Sequence, residues 1–244
     1  MNKNESQKLV CIFDSGIGGI NLLYECAQRR VDCNFAYFAD NYNMPYGNLS
    51  HEKILSLVDA KFELINLHNP AVAIVACNTV TAECISFLRQ KYTFPIIGIQ
   101  PAIKPAASKH KNCVVLATPA TANSTAIKNL LDKYGGGHTR IIACHDLAAY
   151  VENNIFNLNV KEVEKLLPKI ECDSIVLGCT HYTYISEVIS SFYGCPIYDG
   201  IDGTVNRFEK VIGASEGNGS NCHEITFIGG DCLKNSRIFN CIKN

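Results

Sequence analysis

The chain has 244 residues, of which 47% are apolar and 18% are charged, and its formal net charge is −1. This length leaves room for one large domain or for two of about 120 residues each. The near-neutral charge and the lack of a basic cluster give no support to a nucleic-acid or membrane partner. Residues 1–8 are polar, and no apolar run reaches the roughly 18 residues of a membrane span, so we expect a cytoplasmic protein.

The cysteine content is high: the chain has 13 cysteines and no Cys-x-x-Cys pair. Disulfide scaffolds are typical of short secreted chains, and zinc sites need ligands at short spacing. Several of these cysteines, such as Cys11, Cys113 and Cys144, lie inside apolar runs. We therefore expect most of the thiols to be reduced and buried, and we expect no metal site.

In the first half of the chain, strand patterns alternate with helical ones. Strands are predicted at residues 9–13, 34–39, 71–76 and 95–99. The first strand ends in a glycine-rich turn that begins at Asp14, and a helix is predicted after that turn. Ser50 is placed to cap the next helix, because a serine hydroxyl can accept a free N–H of the first turn.

The turn Asp14-Ser15-Gly16-Ile17-Gly18-Gly19 resembles a dinucleotide-binding fingerprint only in part. Asn21 stands where the third glycine of G-x-G-x-x-G belongs. We therefore interpret this turn as a tight loop that holds Asp14 at a strand end, rather than as a Rossmann cofactor site.

The same alternation begins again after the lysine- and alanine-rich segment that follows Pro101. Strands are predicted at residues 113–117, 139–143, 174–178, 195–198 and 224–228. Helices are predicted between them, and the last one surrounds residues 205–212. Strands that alternate with helices predict parallel sheets covered by helices on both faces.

The second half also repeats the layout of the first. Asp14 precedes Cys77 by 63 residues, and Thr118 precedes Cys179 by 61. Each half reads strand, polar turn, helix, later strand, cysteine, threonine and helix. We predict two similar parallel-sheet α/β domains related by pseudo-symmetry, with a cleft between them. The first would comprise residues 1–98 and 205–244, so that the last forty residues return to it, and the second residues 99–204.

Cys77 and Cys179 each follow a strand-length apolar run and precede a helical segment. The carboxyl ends of parallel strands are where open α/β sheets bind ligands, and a helix N-terminus favours a thiolate. Two opposed groups of one chemical type suit racemisation, in which one removes a proton from a carbon and the other delivers one to the opposite face. Asp14 and His181 are the natural assistants. The alternative is that both cysteines are structural, but the duplicated context favours the catalytic interpretation.

The polar residues at the other strand ends suit the carboxylates and ammonium group of an amino acid. Their hydroxyl and amide groups can donate hydrogen bonds, and none of them is a cation. These residues are Ser15, Asn78, Thr79, Thr118, Thr121 and Thr180.

Four motifs together resemble the glutamate racemase family, within the wider aspartate/glutamate racemase superfamily. They are Phe13-Asp14-Ser15-Gly16-Ile17-Gly18-Gly19, Pro45-Tyr46-Gly47, Ala76-Cys77-Asn78-Thr79 and Gly178-Cys179-Thr180-His181-Tyr182. The resemblance extends over residues 10–210. It implies a cofactor-independent enzyme with its active site between two α/β domains, in which Cys77 and Cys179 exchange the Cα proton. In that family D-glutamate feeds the bacterial cell wall.

The resemblance also implies individual roles. Asp14, Glu152 and His181 match the family's assisting acid and base groups. The positions that match its substrate-binding residues are Ser15, Pro45, Tyr46, Gly47, Asn78, Thr79, Thr121 and Thr180. Members of the family commonly pair, so a homodimer is compatible with it.

The chain departs from the family pattern at three places. These are Ala149-Tyr150 before Glu152, Thr183-Tyr184 after the second cysteine motif, and Ile99-Gln100 before Pro101. They leave the chemistry intact and bear on substrate size and domain closure. Two alternatives stay open: an aspartate racemase of the same superfamily, and a non-catalytic descendant that binds an amino acid.

Overall fold

The computed structural model describes residues 7–213 and 224–243. Its strands are β1 Lys8–Asp14, β2 Cys33–Ala39, β3 Val72–Val75, β4 Ile96–Gly98, β5 Cys113–Ala117, β6 Thr139–Ala143, β7 Ser174–Gly178, β8 Ile197–Tyr198 and β9 Ile225–Ile228. Its α-helices are α1 Ile20–Arg29, α2 His51–Leu67, α3 Asn78–Lys91, α4 Ile103–Ala107, α5 Pro119–Asn123, α6 Thr125–Tyr134, α7 Leu147–Asn154, α8 Val160–Leu166, α9 Ser186–Tyr193, α10 Ile201–Ile212 and α11 Cys232–Lys243.

The strands form two separate sheets in which every pairing is parallel. Sheet A has the order β4-β3-β1-β2-β9, and sheet B has the order β6-β5-β7-β8. Read backwards, sheet B is β8-β7-β5-β6, so its strands correspond one by one to the first four of sheet A. The duplication predicted from the sequence is therefore confirmed as two equivalent sheets, and β9 is an addition to sheet A.

Both sheets are covered on their two faces, which explains the continuous apolar runs of the strands. Along β1, Val10 and Ile12 pack into one apolar cluster, and Cys11 and Phe13 pack into another on the opposite face. The same alternation separates the two faces of β5. The cysteines that the structure describes are free thiols, and those on the buried strands act as small apolar side chains.

After sheet B, the chain returns to sheet A. Val205 and Phe208 of α10 pack into an apolar cluster of sheet A, and β9 pairs with β2. The ring of Phe239 in α11 meets Tyr24 of α1 with its centroid 6.0 Å away. The division into residues 1–98 plus 205–244 and residues 99–204 stays a prediction. Residues 1–6, 214–223 and 244 of the first unit lie outside the described residues.

Several local elements differ from those predicted, and the short helices α4 and α5 were not predicted. The segment after Cys179 begins as a 3-10 helix, Thr180–Ile185, and becomes α-helical only from Ser186. A 3-10 turn brings residues three apart onto one side, and here it buries both Tyr182 and Ile185 in the core of sheet B. The helix α11 was not predicted at all.

Other elements agree with the sequence pattern. The Ser50 side chain accepts the N–H of Lys53 and caps α2, as predicted. In the described ranges, we find no helix whose length and hydropathy would let it cross a bilayer.

Candidate active site

Cys77 lies between β3 and α3, at the carboxyl edge of sheet A. The short strand is buried along its length, and Cys77 takes the N-cap position of the helix with an extended backbone. Its thiol is 6% exposed, and its sulfur lies 3.5 Å from the Ser15 hydroxyl oxygen. Ser15 follows β1, the strand beside β3, so two neighbouring strand ends bring this pair together.

Burial raises the pKa of the Cys77 thiol to about 12, and the charge of Asp14 acts in the same direction. The Ser15 hydroxyl and the Val80 N–H oppose this shift without cancelling it. Burial therefore favours the protonated thiol at Cys77, against the effect expected of a neighbouring helix N-terminus. With its pKa at about 12, Cys77 rests as the protonated thiol at neutral pH.

Cys179 occupies the equivalent position in sheet B, directly after β7. Its sulfur lies 3.8 Å from His181 Nδ1, two residues along the chain. The other ring nitrogen of His181, Nε2, lies 2.8 Å from Glu152 Oε2. Cys179, His181 and Glu152 thus form a connected series, and all three side chains are buried.

The His181–Glu152 pair is ionised. Burial acts against charge on both groups, but it is outweighed in each case. The hydrogen bonds to Cys179 and Glu152 raise the pKa of His181 well above its usual range. The contacts with His181, Ile17 N–H and Asn41 lower the pKa of Glu152 to about 2. The sulfur of Cys179 therefore has an imidazolium beside it, whose charge is held by a carboxylate.

Asp14 ends β1 and lies where the two sheets meet. Its carboxylate accepts the Gly16 N–H over 2.7 Å through Oδ1 and the Thr180 hydroxyl over 3.2 Å through Oδ2. Burial raises its pKa. Asp14 and His181 belong to different sheets, whose carboxyl edges face each other.

Three of the predicted substrate-binding hydroxyls form one cluster across the two sheets. Thr79 Oγ1 of α3 lies 2.9 Å from Thr118 Oγ1 and 3.2 Å from Thr121 Oγ1, both beside β5. Near them, Asn78 is 5% exposed, and its Nδ2 has no hydrogen-bond partner among the described residues. A buried amide N–H without a partner is costly, so a ligand that accepts from it would bind favourably.

The Pro45-Tyr46-Gly47 motif begins a short 3-10 helix, Tyr46–Asn48, for which Pro45 is the N-cap. The Tyr46 hydroxyl donates to Asp40 Oδ2 over 2.7 Å, and Lys61 Nζ lies 3.1 Å from Asp40 Oδ1. Tyr46 is thus held in place by Asp40, and burial raises the pKa of its hydroxyl. A Cβ at Gly47 would overlap the side chain of Thr118, so the turn touches sheet B directly.

The turn after β1 also fits closely against sheet B. A Cβ at Gly16 would overlap the Glu152 carboxylate, and one at Gly18 would overlap the Thr180 hydroxyl. The departures from the family pattern add hydrogen bonds here. Tyr184 donates to Ile17 O over 2.8 Å, and Asn21 donates to the Thr183 hydroxyl. Thr183-Tyr184 therefore joins the two sheets.

Two residues at the site were not found from the sequence. Asn41, in the loop after β2, donates to Glu152 Oε1 over 2.7 Å, and Lys234 of α11 lies 3.0 Å from the same oxygen. Asn41 comes just after the carboxyl end of β2, so its place in the sequence could have predicted a residue at the site. Lys234 is far away in sequence, and only the packing of α11 brings it to the site.

This arrangement can remove and deliver a proton. Two thiols come from opposite sheets, one beside a hydroxyl and a carboxyl group and the other beside an imidazolium. Neutral hydrogen-bond donors also lie at these strand ends, among them Ser15, Asn78 and Thr79. An acid and a base that face each other in a desolvated site are what proton exchange at carbon requires.

The family model described as Asp/Glu/Hydantoin racemase matches residues 47–208. A glutamate racemase from Clostridium perfringens is 38% identical over 212 residues, which cover 82% of this chain and 81% of that protein. A glutamate racemase from Clostridium novyi is 37% identical over 211 residues, with 82% of both chains covered.

Solved structures share the architecture. The Escherichia coli glutamate racemase in complex with L-glutamate and the activator UDP-MurNAc-Ala has a TM-score of 0.82 at 23% identity, covering 96% of this chain and 95% of its own. This likeness concerns the fold. The glutamate racemase from Aquifex pyrophilus has a TM-score of 0.71 at 27% identity, covering 95% of this chain and 94% of its own. The chain therefore belongs to the glutamate racemase family, and it is an isomerase of the amino-acid racemase class.

Proposed function

We propose that this protein interconverts L-glutamate and D-glutamate by proton transfer between the two thiols, without a cofactor, and that its D-glutamate is used for bacterial peptidoglycan. The observation that carries the proposal is the placement of Cys77 and Cys179 at equivalent strand ends of two facing sheets. The sequence relatives that match most of the chain are glutamate racemases, which supports the choice of substrate.

In this mechanism the two thiols do not start in the same protonation state. Cys77, with its pKa raised to about 12, rests as the thiol and delivers a proton. Cys179 removes the Cα proton from the opposite face as a thiolate, which the imidazolium of His181 stabilises. In the reverse direction the roles exchange. Because each turnover leaves the other thiol protonated, His181 and Asp14 assist in restoring the starting state.

The substrate is held by neutral donors. The hydroxyls of Thr79, Thr118 and Thr121 and the free N–H of Asn78 suit the carboxylates of glutamate. The developing negative charge at Cα and the α-carboxylate needs preorganised donors, and desolvation makes each of them more effective. Ser15 and Thr180, on either side of Asp14, complete the polar wall.

We also propose that the enzyme works in the cytoplasm. Free thiols at the site fit the reducing cytoplasm. The two predicted domains would open along the contacts of the glycine turns to admit glutamate and close to exclude water. A homodimer is part of the same proposal, and light scattering of the purified protein would measure its mass.

Proton NMR in D₂O tests the reaction. The purified, reduced protein is incubated with L-glutamate, and separately with L-aspartate, without added cofactor. We expect the Cα proton signal of glutamate to disappear while D-glutamate accumulates. Exchange on aspartate alone would keep the two-thiol chemistry and overturn the substrate. Binding without exchange on either amino acid would overturn catalysis in favour of a binding protein.

A further inference from the structure

A lysine of α11 contacts Glu152 through the carboxylate oxygen that His181 does not contact. Lys234 Nζ donates to the backbone oxygen of Glu152 over 2.6 Å and to its Oε1 over 3.0 Å. The Glu152 side chain is 3% exposed and that of Lys234 is 21% exposed. Because Lys234 makes two contacts to the buried Glu152, it fixes the position of that residue. Exposed ion pairs, by contrast, usually contribute little to stability.

Two further donors to Glu152 come from the sheet A side of the molecule, as Lys234 does. Ile17 N–H, after β1, donates to Oε2 over 2.9 Å, and Asn41, after β2, donates to Oε1 over 2.7 Å. Glu152 itself belongs to α7, which packs on sheet B. Among the described residues, three donors to the Glu152 carboxylate therefore belong to elements of the sheet A side, and one, His181, belongs to the sheet B side.

The first turn of α11 is itself firmly placed. Asp231 Oδ1 accepts the Lys234 N–H over 2.9 Å and caps the helix. Asn235, which is fully buried, donates to Asn41 Oδ1 over 3.2 Å, and the Asp231 N–H reaches the same oxygen over 3.1 Å. Lys234 and Asn41 thus approach Glu152 as one connected group.

We propose that Lys234 is a positioning residue for the Cys179 half of the reaction. It holds Glu152 against His181 when the two sheets are together, and His181 in turn orients toward Cys179. The inference rests on the proposed two-thiol racemisation. It assigns to α11 a role in catalysis that acts through two other residues and never touches the substrate.

Because the series Lys234–Glu152–His181 ends at Cys179, its loss slows only the proton transfers at that thiol. In the direction in which Cys179 removes the substrate proton, that removal becomes the slow step, and deuterium at Cα slows turnover more than in the wild type. In the opposite direction Cys77 removes the proton, and the slow step is delivery from Cys179. Deuterium at Cα then matters less than in the wild type.

The test compares Lys234→Met with the wild type, using L- and D-glutamate with hydrogen or deuterium at Cα. We expect kcat of the variant to fall about tenfold to a hundredfold, as a small misplacement of a catalytic group does. The substrate isotope effect should rise in one direction and fall in the other. Lys234→Arg, which keeps the charge, should recover most of the activity. Lys243→Met, an exposed lysine in the same helix, is the matched control and should match the wild type.

A Lys234→Met enzyme as active as the wild type would overturn this inference while leaving the proposed function standing. An equal loss in both directions with unchanged isotope effects would also overturn it, because that pattern indicates general destabilisation. If Lys234→Met does not fold, Lys234→Gln, which keeps a hydrogen-bond donor, is measured by the same criteria. A wild-type protein that is folded and inactive on glutamate would overturn the proposed function and this inference together.

Discussion

The two cysteine half-sites have the same backbone plan and different chemical surroundings. Cys77 and Cys179 follow equivalent strands, β3 and β7, and each takes the N-cap position of the helix after it. Cys77 has the hydroxyl of Ser15 beside it, and burial raises its pKa to about 12. Cys179 has the imidazole of His181 beside it, at 3.8 Å. A duplicated fold supplies the two positions, and the loops that follow each strand decide what each position does.

The difference shows why two copies of one motif can serve one reaction. Proton exchange across a carbon needs an acid and a base at the same moment. Two identical half-sites would start in the same protonation state and could not supply both. The hydroxyl of Ser15 and the carboxyl group of Asp14 on one side, and the His181–Glu152 ion pair on the other, give the two thiols different surroundings. We therefore expect racemisation to respond unequally when each half-site is altered.

The largest effect is expected from the thiols themselves. Cys77→Ser and Cys179→Ser should each reduce racemisation by about 10²- to 10⁴-fold, because a serine hydroxyl is a much weaker acid and base for this transfer. The measurement is the change in optical rotation of glutamate in both directions. Cys84→Ala, a buried cysteine of α3, is the control and should stay active. Near-normal turnover in either serine variant would remove that half from the mechanism.

The next effect concerns the ion pair in the Cys179 half. The pKa of Glu152 in the folded protein is about 2, against an ordinary 4.5, which corresponds to about 3 kcal/mol of stability. This contribution is present above the unfolded pKa and is lost as the pH falls toward 2. The pKa of His181 is raised, so its contribution is present below about 6.5 and is lost as the pH rises through the folded value.

Glu152→Gln should therefore lower the free energy of unfolding most between about pH 4.5 and 6.5, and it should flatten the pH dependence on both sides. Urea unfolding across this pH series measures it. Glu162→Gln, which removes an exposed pair with Lys165, should change the free energy of unfolding by less than about 0.5 kcal/mol. An unaltered pH profile in Glu152→Gln would show that the pair carries no charge.

A smaller effect is expected on substrate affinity in the Cys77 half. Asn78→Ala removes an amide whose Nδ2 has no partner in the described part of the chain, so the fold loses no hydrogen bond there. A hydrogen bond to a charged ligand contributes about 1.5–3 kcal/mol, so KM should rise about tenfold or more. Steady-state kinetics measure KM, and thermal unfolding should show no loss of stability. A normal KM would indicate that Asn78 does not contact the substrate.

The smallest effect is expected where the halves are joined. Tyr184→Phe removes the hydrogen bond to Ile17 O, which should cost about 1 kcal/mol and raise KM a few-fold through less favourable closure. Tyr42→Phe, at a residue that is 81% exposed, is the control. Equal behaviour of the two variants would show that this bond does not contribute to closure.

Much of this architecture follows from short-range patterns in the sequence. Apolar runs of strand length located the strands that carry Cys77 and Cys179, because parallel strands are buried on both faces. The nearly equal offsets from Asp14 to Cys77 and from Thr118 to Cys179 predicted the duplication. The strands can be predicted from the sequence because each depends on residues that are close together along the chain.

The features that were not predicted depend on contacts between distant segments. The pKa of Glu152 is lowered by Ile17, Asn41 and His181 together, and no spacing in the sequence predicts that these residues are in contact. The raised pKa of Cys77 reflects burial by distant segments, which the neighbouring residues in the sequence do not reveal. The helix α11 had a usable signal in the cap at Asp231 and the apolar spacing of Ile238, Phe239 and Ile242, but its exposed Leu233 disturbs the pattern.

The position of β9 has a consequence for how the protein is made. Sheet A receives its edge strand from residues 225–228, after the whole of sheet B has been synthesised. Pairing strands so far apart in sequence is slow, because a long loop must be closed before the contacts stabilise it. A nascent chain that ends before β9 already contains both thiols, yet its first sheet is incomplete and Lys234 has not been added. Synthesis of the last two elements is thus the step that completes the site.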